Sequence, residues 1–132
     1  MTNLINSAQM PAHTSVRNEF LTIVEIVQNY TDGLHFGDVE KLKSIFHEDV
    51  VLKAPNLRRN LEDWLLTVQS RDVPAELGLP YDFEIQSIDI IRDQAMVKLR
   101  CPLFEYQYID FIGFLKEGGQ WKIVSKMYCD VM

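Results

Sequence analysis

The stretch from Tyr106 to Cys129 constrains the fold most, because its pattern is that of a long β-hairpin. Two runs rich in aromatic and β-branched residues flank Gly118-Gly119, and glycine adopts the positive φ angles that tight hairpin turns require. A loop of just these two glycines predicts a register in which Asp110 lies opposite Met127. Directly paired residues share a face of the sheet, so this register fixes which side chains point together.

The predicted register gives the hairpin one face with a single interior charge, Asp110. That face carries Tyr106, Tyr108, Asp110, Ile112, Phe114, Trp121, Ile123, Ser125 and Met127. A three-residue loop gives a different register, in which Asp110 faces Tyr128 and shares a side with Lys126. An ion pair would then replace the isolated acid, and the sequence leaves both registers open.

The opposite face of the hairpin is predicted to be an apolar strip, crossed only by Lys122 and Lys126. The strip consists of Ile109, Phe111, Leu115, Val124 and Tyr128. Monomeric proteins seldom leave such a patch in water. We therefore expect a homodimer formed through this outer face of the sheet.

Upstream of the hairpin, hydrophobic spacing predicts three helices. The first follows a cap at Thr14 or Ser15 and buries Phe20, Ile23, Val24, Val27, Tyr30, Thr31 and Leu34. The second is capped by Asp38 and the third by Asn60, with buried residues Leu42, Ile45, Phe46, Leu61, Trp64, Leu65 and Val68. Residues 1–13 are polar and aperiodic, which indicates a flexible arm before a single domain spanning residues 14–132.

The remaining strands favour a bent sheet. Val50 to Leu52 forms a short strand, and Phe83 and Ile85 fall on one phase while Ile88 and Ile90 fall on the other. A bulge near Gln86-Ser87 would bring all four to one side and bend the sheet. Helices followed by strands predict an α+β fold, with three N-terminal helices packed on one face of a strongly curved antiparallel sheet.

Composition narrows the functional classes. The chain has 132 residues and a net charge of -6, which disfavours nucleic-acid binding. It has no apolar run long enough to span a membrane and no leader pattern, so we expect a cytoplasmic protein that does not bind membranes. Cys101 and Cys129 lie in predicted strands without metal-ligand spacing, which favours reduced core thiols; no metal or other cofactor is implied.

Several segments together are similar to the nuclear transport factor 2-like superfamily over about residues 16–129. The carriers are Tyr30 with Gly37-Asp38, LKSIFHEDV at 42–50, YIDF at 108–111 with Leu115, and GQWKIV at 119–124 with Lys126. The last two segments most resemble the branch labelled putative lumazine-binding, close to polyketide cyclase-like and ketosteroid isomerase-like groups. The resemblance implies a cone-shaped half-barrel, or cystatin-like roll, with a pocket between the helices and the concave sheet.

The resemblance transfers only part of an isomerase site. Tyr30 stands seven positions before Gly37, where ketosteroid isomerases place a tyrosine that stabilises a developing enolate. Their general-base aspartate aligns with Ala54, which cannot accept a proton. Asp110 is therefore the leading candidate for a general acid or base, and its alternative role is to accept structural hydrogen bonds or to pair with Lys126.

The expected function is that of a small-molecule-binding protein with an apolar pocket. The candidate pocket residues are Tyr30, His35, Trp64, Tyr106, Tyr108, Trp121 and Met127. One alternative is a cofactor-independent lyase or isomerase that uses Asp110 as its acid or base. The other is a non-catalytic dimeric module that binds another polypeptide.

Overall fold

Three helices pack on one face of a curved, unclosed sheet of six strands in this computed structural model, which describes residues 12–132. The helices are α1 (Ala12–Phe36), α2 (Val39–Ile45) and α3 (Leu61–Ser70). The strands are β1 (Phe46–Ala54), β2 (Leu57–Asn60), β3 (Glu84–Ile91), β4 (Gln94–Leu103), β5 (Tyr106–Glu117) and β6 (Gln120–Asp130). Their order in the sheet is β2-β1-β6-β5-β4-β3. The pair β1 and β6 is parallel, and every other pair in the described sheet is antiparallel.

Helix α1 buries one stripe, as its spacing predicts. Ile23, Val27, Tyr30, Thr31 and Leu34 are buried, whereas the predicted core residues Val24 and Phe20 are half-buried and exposed, respectively. The helix begins at Ala12, ahead of the predicted cap, and the remainder of the predicted arm lies outside the described residues. None of the described helices combines the length and apolarity needed to cross a membrane.

The two other helices begin at the predicted caps. Oδ1 of Asp38 accepts a hydrogen bond from the Lys41 backbone N–H, and Oδ1 of Asn60 accepts one from Asp63. All four predicted core residues of α3 are buried: Leu61, Trp64, Leu65 and Val68. The local capping chemistry thus correctly identifies the starts of α2 and α3.

The strand before α3 is longer than predicted and turns back on itself. β1 extends over nine residues, and β2, which the sequence analysis missed, pairs with it antiparallel through a turn at Asn56 with a φ of 65°. This short hairpin brings Arg59 beside α3, where its guanidinium donates to Thr67 Oγ1.

The register shifts in three pairs of strands, β1–β6, β3–β4 and β5–β6, and only the shift in β3–β4 was predicted. The register of β3 against β4 shifts between Ile85 and Ser87, which confirms the predicted bulge. The β5–β6 turn holds the two predicted glycines, and Phe114 pairs with Ile123 as expected. The register then shifts beside Phe114, so that Asp110 pairs with Tyr128.

The bulge beside Phe114 reverses the predicted faces of β6 beyond it. The pairing of Asp110 with Met127 is therefore wrong: Lys126 and Tyr128 point inward, and Met127 is 44% exposed on the outer face. The alternative register considered from the sequence is present, but a bulge produces it and the loop keeps two residues. The core-thiol prediction holds for Cys101, which is buried, and is wrong for Cys129, which is exposed.

Candidate functional site

A cavity of about 220 Å³ lies between the helices and the concave side of the sheet. Helices α1 and α3 supply one side, β2 and the end of α3 supply the rim, and β4 to β6 supply the floor. Its lining consists of Tyr30, Leu34, Arg59, Trp64, Thr67, Arg71, Cys101, Leu103, Tyr108, Asp110, Lys126 and Tyr128. The sequence predicts an apolar pocket, but this lining includes three cationic side chains and one carboxyl group.

Asp110 on β5 is anchored by Tyr30 on α1. The Tyr30 hydroxyl donates a hydrogen bond of 2.9 Å to Oδ2 of Asp110, and both side chains are almost completely buried. Burial raises the pKa of Asp110, while the charge of Lys126 and the Tyr30 hydrogen bond act in the opposite direction. The pKa of Tyr30 is raised by burial and by the neighbouring carboxylate, so the phenol stays protonated and remains a donor.

Lys126 on β6 lies within a cage of three aromatic rings. Its Nζ is 4.6 Å from the centre of the Trp64 ring and 5.2 Å from the centres of the Tyr30 and Tyr128 rings. The residue is 7% exposed and forms no ion pair with any of the described residues. Burial lowers the pKa of Lys126, and the charge of Asp110 opposes this shift. The aromatic faces stabilise the ammonium form through cation–π interactions.

Arg71 follows the last turn of α3 and directs its side chain toward the same cavity. Its backbone N–H donates to Thr67 O at 3.1 Å, which closes the helix, and its guanidinium carbon lies 5.5 Å from the centre of the Phe104 ring. Nη2 of Arg71 is buried and has no hydrogen-bond partner among the described residues. Burial lowers the pKa of Arg71, although an arginine remains charged at any physiological pH.

The aromatic walls of the cavity form two groups. Tyr30 and Trp64 stack with ring centres 6.4 Å apart and an interplanar angle of 20°. Tyr108 and Tyr128 meet edge to face with centres 5.7 Å apart. Stacked and edge-to-face pairs of this kind hold the rings in defined orientations. A flat ligand would therefore meet preformed walls.

The structure brings four of the predicted site residues together and separates the other four. Tyr30, Trp64, Tyr108 and Asp110 line the cavity. His35 lies in a separate hollow with Phe83 and Pro102, and Tyr106 lies in a shallow depression beside Arg71. Trp121 donates a hydrogen bond to Glu19 at the end of β6 that is remote from the cavity, and Met127 lies on the outer face of the sheet.

Five lining residues with chemistry of their own were not predicted for the site: Arg59, Arg71, Cys101, Lys126 and Tyr128. Cys101 was predictable, because it shares the inward phase of β4 with Leu99 and Leu103. Arg59 depends on the missed β2 hairpin, and Lys126 and Tyr128 depend on the missed bulge. In the described part of the chain, no three His, Cys, Asp or Glu side chains are grouped so that they could hold a metal ion.

The helix-covered curved sheet with a cavity on its concave side defines the nuclear transport factor 2-like class of fold. Two proteins of unknown function with this fold show the likeness. The one from Shewanella baltica has a TM-score of 0.74 at 22% identity, over 85% of this chain and 93% of its own. The one from Silicibacter pomeroyi has a TM-score of 0.71 at 20% identity, over 87% and 98%. A de novo designed protein with a curved β-sheet is also similar, with a TM-score of 0.60 at 13% identity over 86% and 98%.

Residues 18–129 match the protein family described as putative lumazine-binding. The chain belongs to this family, within the nuclear transport factor 2-like superfamily, as its sequence resemblance indicated. No curated protein matches the chain significantly.

Proposed function

We propose that this protein binds a small, flat molecule in the cavity around Lys126 and Asp110. The observation that carries the proposal is that buried ionisable side chains and aromatic faces converge on one unfilled space. Such a combination of perturbed pKa values and concave shape is typical of ligand sites. The family name agrees with this proposal, since lumazine is itself a flat heterocycle.

The size of the cavity limits the ligand. Pockets for drug-sized molecules hold roughly 300 to 1,000 Å³. A cavity of about 220 Å³ fits a molecule with one or two fused rings. Trp64 and Tyr128 line the cavity with aromatic surface that such a ring can contact. The half-buried rim residues Arg59, Thr67 and Arg71 give the entry side its polar character.

The two tryptophans allow a direct test, because only Trp64 lies at the cavity. In a Trp121→Phe variant, titration with lumazine and related flat heterocycles should change the fluorescence of Trp64. In the matched Trp64→Phe variant, the remaining Trp121 should not respond. A ligand at 100 times its dissociation constant should also stabilise the wild type by about 2.7 kcal/mol. A panel of one-ring and two-ring compounds that changes neither fluorescence nor melting temperature would contradict the proposal.

Acid–base catalysis by Asp110 is a second proposal, supported by its raised pKa inside the cavity and by its hydrogen bond from Tyr30. A carboxyl group whose pKa moves toward neutrality is better matched to proton transfer. Compounds that bind in the fluorescence assay should be followed by mass spectrometry and NMR for conversion. Turnover that Asp110→Asn abolishes while binding persists would support the role, and equal turnover by the variant would remove it.

We also propose that the protein forms a homodimer through the outer face of the sheet. The outer face keeps four of the five predicted residues: Ile109, Phe111, Leu115 and Val124. Met127 replaces Tyr128 on this face. Phe111 and Met127 are 45% and 44% exposed and pair directly across β5 and β6, so they form the centre of an exposed apolar patch of the kind that marks an interaction surface.

Sedimentation across micromolar concentrations tests the dimer. The wild type should sediment as a dimer of the 15.4 kDa chain, and Phe111→Glu should shift it to the monomer. Leu77→Glu is the matched control, since Leu77 is an exposed apolar residue in the loop after α3. A wild-type protein at monomer mass throughout would contradict the dimer and, with it, the alternative of a dimeric interaction module.

A further inference from the structure

We propose that the ligand is an organic acid whose carboxylate lies between the guanidinium of Arg71 and the ammonium of Lys126. This inference rests on the proposed ligand-binding function of the same cavity and specifies the chemical class of the ligand. It follows from the balance of charge, from an unsatisfied donor and from the shape of the lining.

The cavity concentrates positive charge in a protein that is acidic as a whole. Arg59, Arg71 and Lys126 line it against one carboxyl group, although the chain has a net charge of -6. The carboxyl group of Asp110 is engaged by Tyr30 and forms no ion pair with these cations. Asp110 offsets part of the charge of Lys126, but three cationic side chains against one carboxyl group leave an excess of positive charge, which is unfavourable in a partly enclosed space. The site therefore favours a guest that carries negative charge.

Arg71 provides the specific attachment point. Nη2 of Arg71 is buried without a hydrogen-bond partner among the described residues, whereas nearly all buried polar groups in proteins are paired. A carboxylate presents two oxygens in the plane of a guanidinium, which is the geometry that arginine binds best. Nη2 itself has almost no accessible surface, so a carboxylate that binds the cavity-lining part of this guanidinium would supply the missing acceptor after a small rotation of the side chain.

Lys126 provides the second positive charge and lies next to the aromatic side chains of the cavity. Three rings hold its ammonium group within the cavity lining, on the same side as Trp64 and Tyr128. An acid whose carboxylate contacts Lys126 can place its ring against these same side chains. The arrangement thus selects a flat acid over both a flat neutral molecule and a small inorganic anion.

Matched pairs of probes test the inference without any mutation. Benzoate and quinoline-2-carboxylate are compared with benzamide and quinoline-2-carboxamide by the Trp64 fluorescence of the Trp121→Phe protein. The acids should bind about tenfold or more tightly than their amides, because a hydrogen bond to a charged group strengthens binding by that order. Phenylphosphonate, chloride and sulfate complete the panel and distinguish a carboxylate site from a general anion site.

Variants then identify which side chains bind the carboxylate. Arg71→Gln and Lys126→Met should each reduce the preference for acid over amide, and Arg71→Lys should retain part of it because the charge remains without the planar fork. Arg100→Gln is the matched control, since Arg100 lies outside the cavity and pairs with Asp82. Circular dichroism establishes that each variant is folded. If a variant does not fold, the comparison of acids with amides in the Trp121→Phe protein still tests the inference.

The outcomes separate this inference from the proposed function. Equal binding of acids and amides would contradict a carboxylate-binding site and would leave the proposed ligand pocket unaffected. Stronger binding of phenylphosphonate, or binding of chloride as tight as that of the acids, would also overturn it. Failure of every flat compound, charged or neutral, would instead contradict the proposed function itself.

Discussion

Replacing Tyr30 by phenylalanine should destabilise the protein strongly, because it removes the donor to a buried carboxyl group. The hydroxyl lies 2.9 Å from Oδ2 of Asp110, and both groups are shielded from water that could replace the bond. Hydrogen bonds to charged groups contribute about 1.5 to 3 kcal/mol. We expect a loss of about 2 to 3 kcal/mol in the free energy of unfolding at neutral pH, or roughly 10 °C in melting temperature for a domain of this size.

The loss of stability caused by Tyr30→Phe should depend on pH, and the raised pKa of Asp110 determines the direction of this dependence. Because the pKa of Asp110 is raised in the folded state, protonation of this group stabilises the folded protein. This contribution to the free energy of unfolding is complete below the unfolded pKa of about 3.9 and is lost as the pH rises through the folded pKa. Without the Tyr30 hydroxyl, the carboxylate is less stabilised and the folded pKa rises further. Tyr30→Phe should therefore cost more at pH 8 than at pH 4, because protonation of Asp110 proceeds as the pH falls and the neutral form of a carboxyl group loses only about 1 kcal/mol with such a bond.

Urea unfolding followed by far-UV circular dichroism at the two pH values measures both effects. Tyr81→Phe is the matched control, because its hydroxyl bonds Asp32 and Thr31 at 2.6 Å in an exposed position where water can substitute. A double-mutant cycle with Asp110→Asn isolates the coupling between the two side chains. A cost no greater than that of Tyr81→Phe, with no coupling and no pH dependence, would refute the reasoning.

Three further predictions concern local structure. Gly33→Ala should lose about 1 kcal/mol in urea unfolding although alanine favours helices, because the new Cβ would lie 2.6 Å from two side-chain carbons of the buried Leu42. Asn60→Ala should lose about 1 kcal/mol in the same assay, since it removes the cap of α3; an unchanged value would contradict the capping role. Ellman's reagent should titrate the exposed Cys129 at once and Cys101 only after denaturation, because burial shields Cys101 and raises the pKa of its thiol.

The elements that could be predicted from the sequence are those with local chemistry. Asp38 and Asn60 cap helices because their side chains reach the backbone N–H three residues later, and no distant contact is needed. Gly118 and Gly119 both adopt positive φ and close the hairpin. The bulge at Ile85 was visible because the apolar residues of β3 change phase there.

Elements without such signals were missed. β2 has only four residues and a mostly exposed pattern, so it lacks the alternation that predicts a strand. Its pairing with β1 depends on the partner strand and on the turn at Asn56, whose positive φ is unusual outside glycine. In the sequence, Arg59 is only the second residue of the pair Arg58-Arg59, and its place at the cavity rim could not be predicted from it.

The bulge in β6 is the harder case, because the burial rule favours the wrong register. That rule places Met127 inside and Lys126 outside, whereas the fold does the reverse. Burying an ammonium group costs several kcal/mol, and three aromatic faces at about 0.5 to 2 kcal/mol each, together with the charge of Asp110, offset that cost. Natural proteins depart from local rules mainly at functional sites. The side chain that the predicted register places on the outer face is therefore one of the three cationic groups of the cavity, and a bound acid would compensate their excess positive charge.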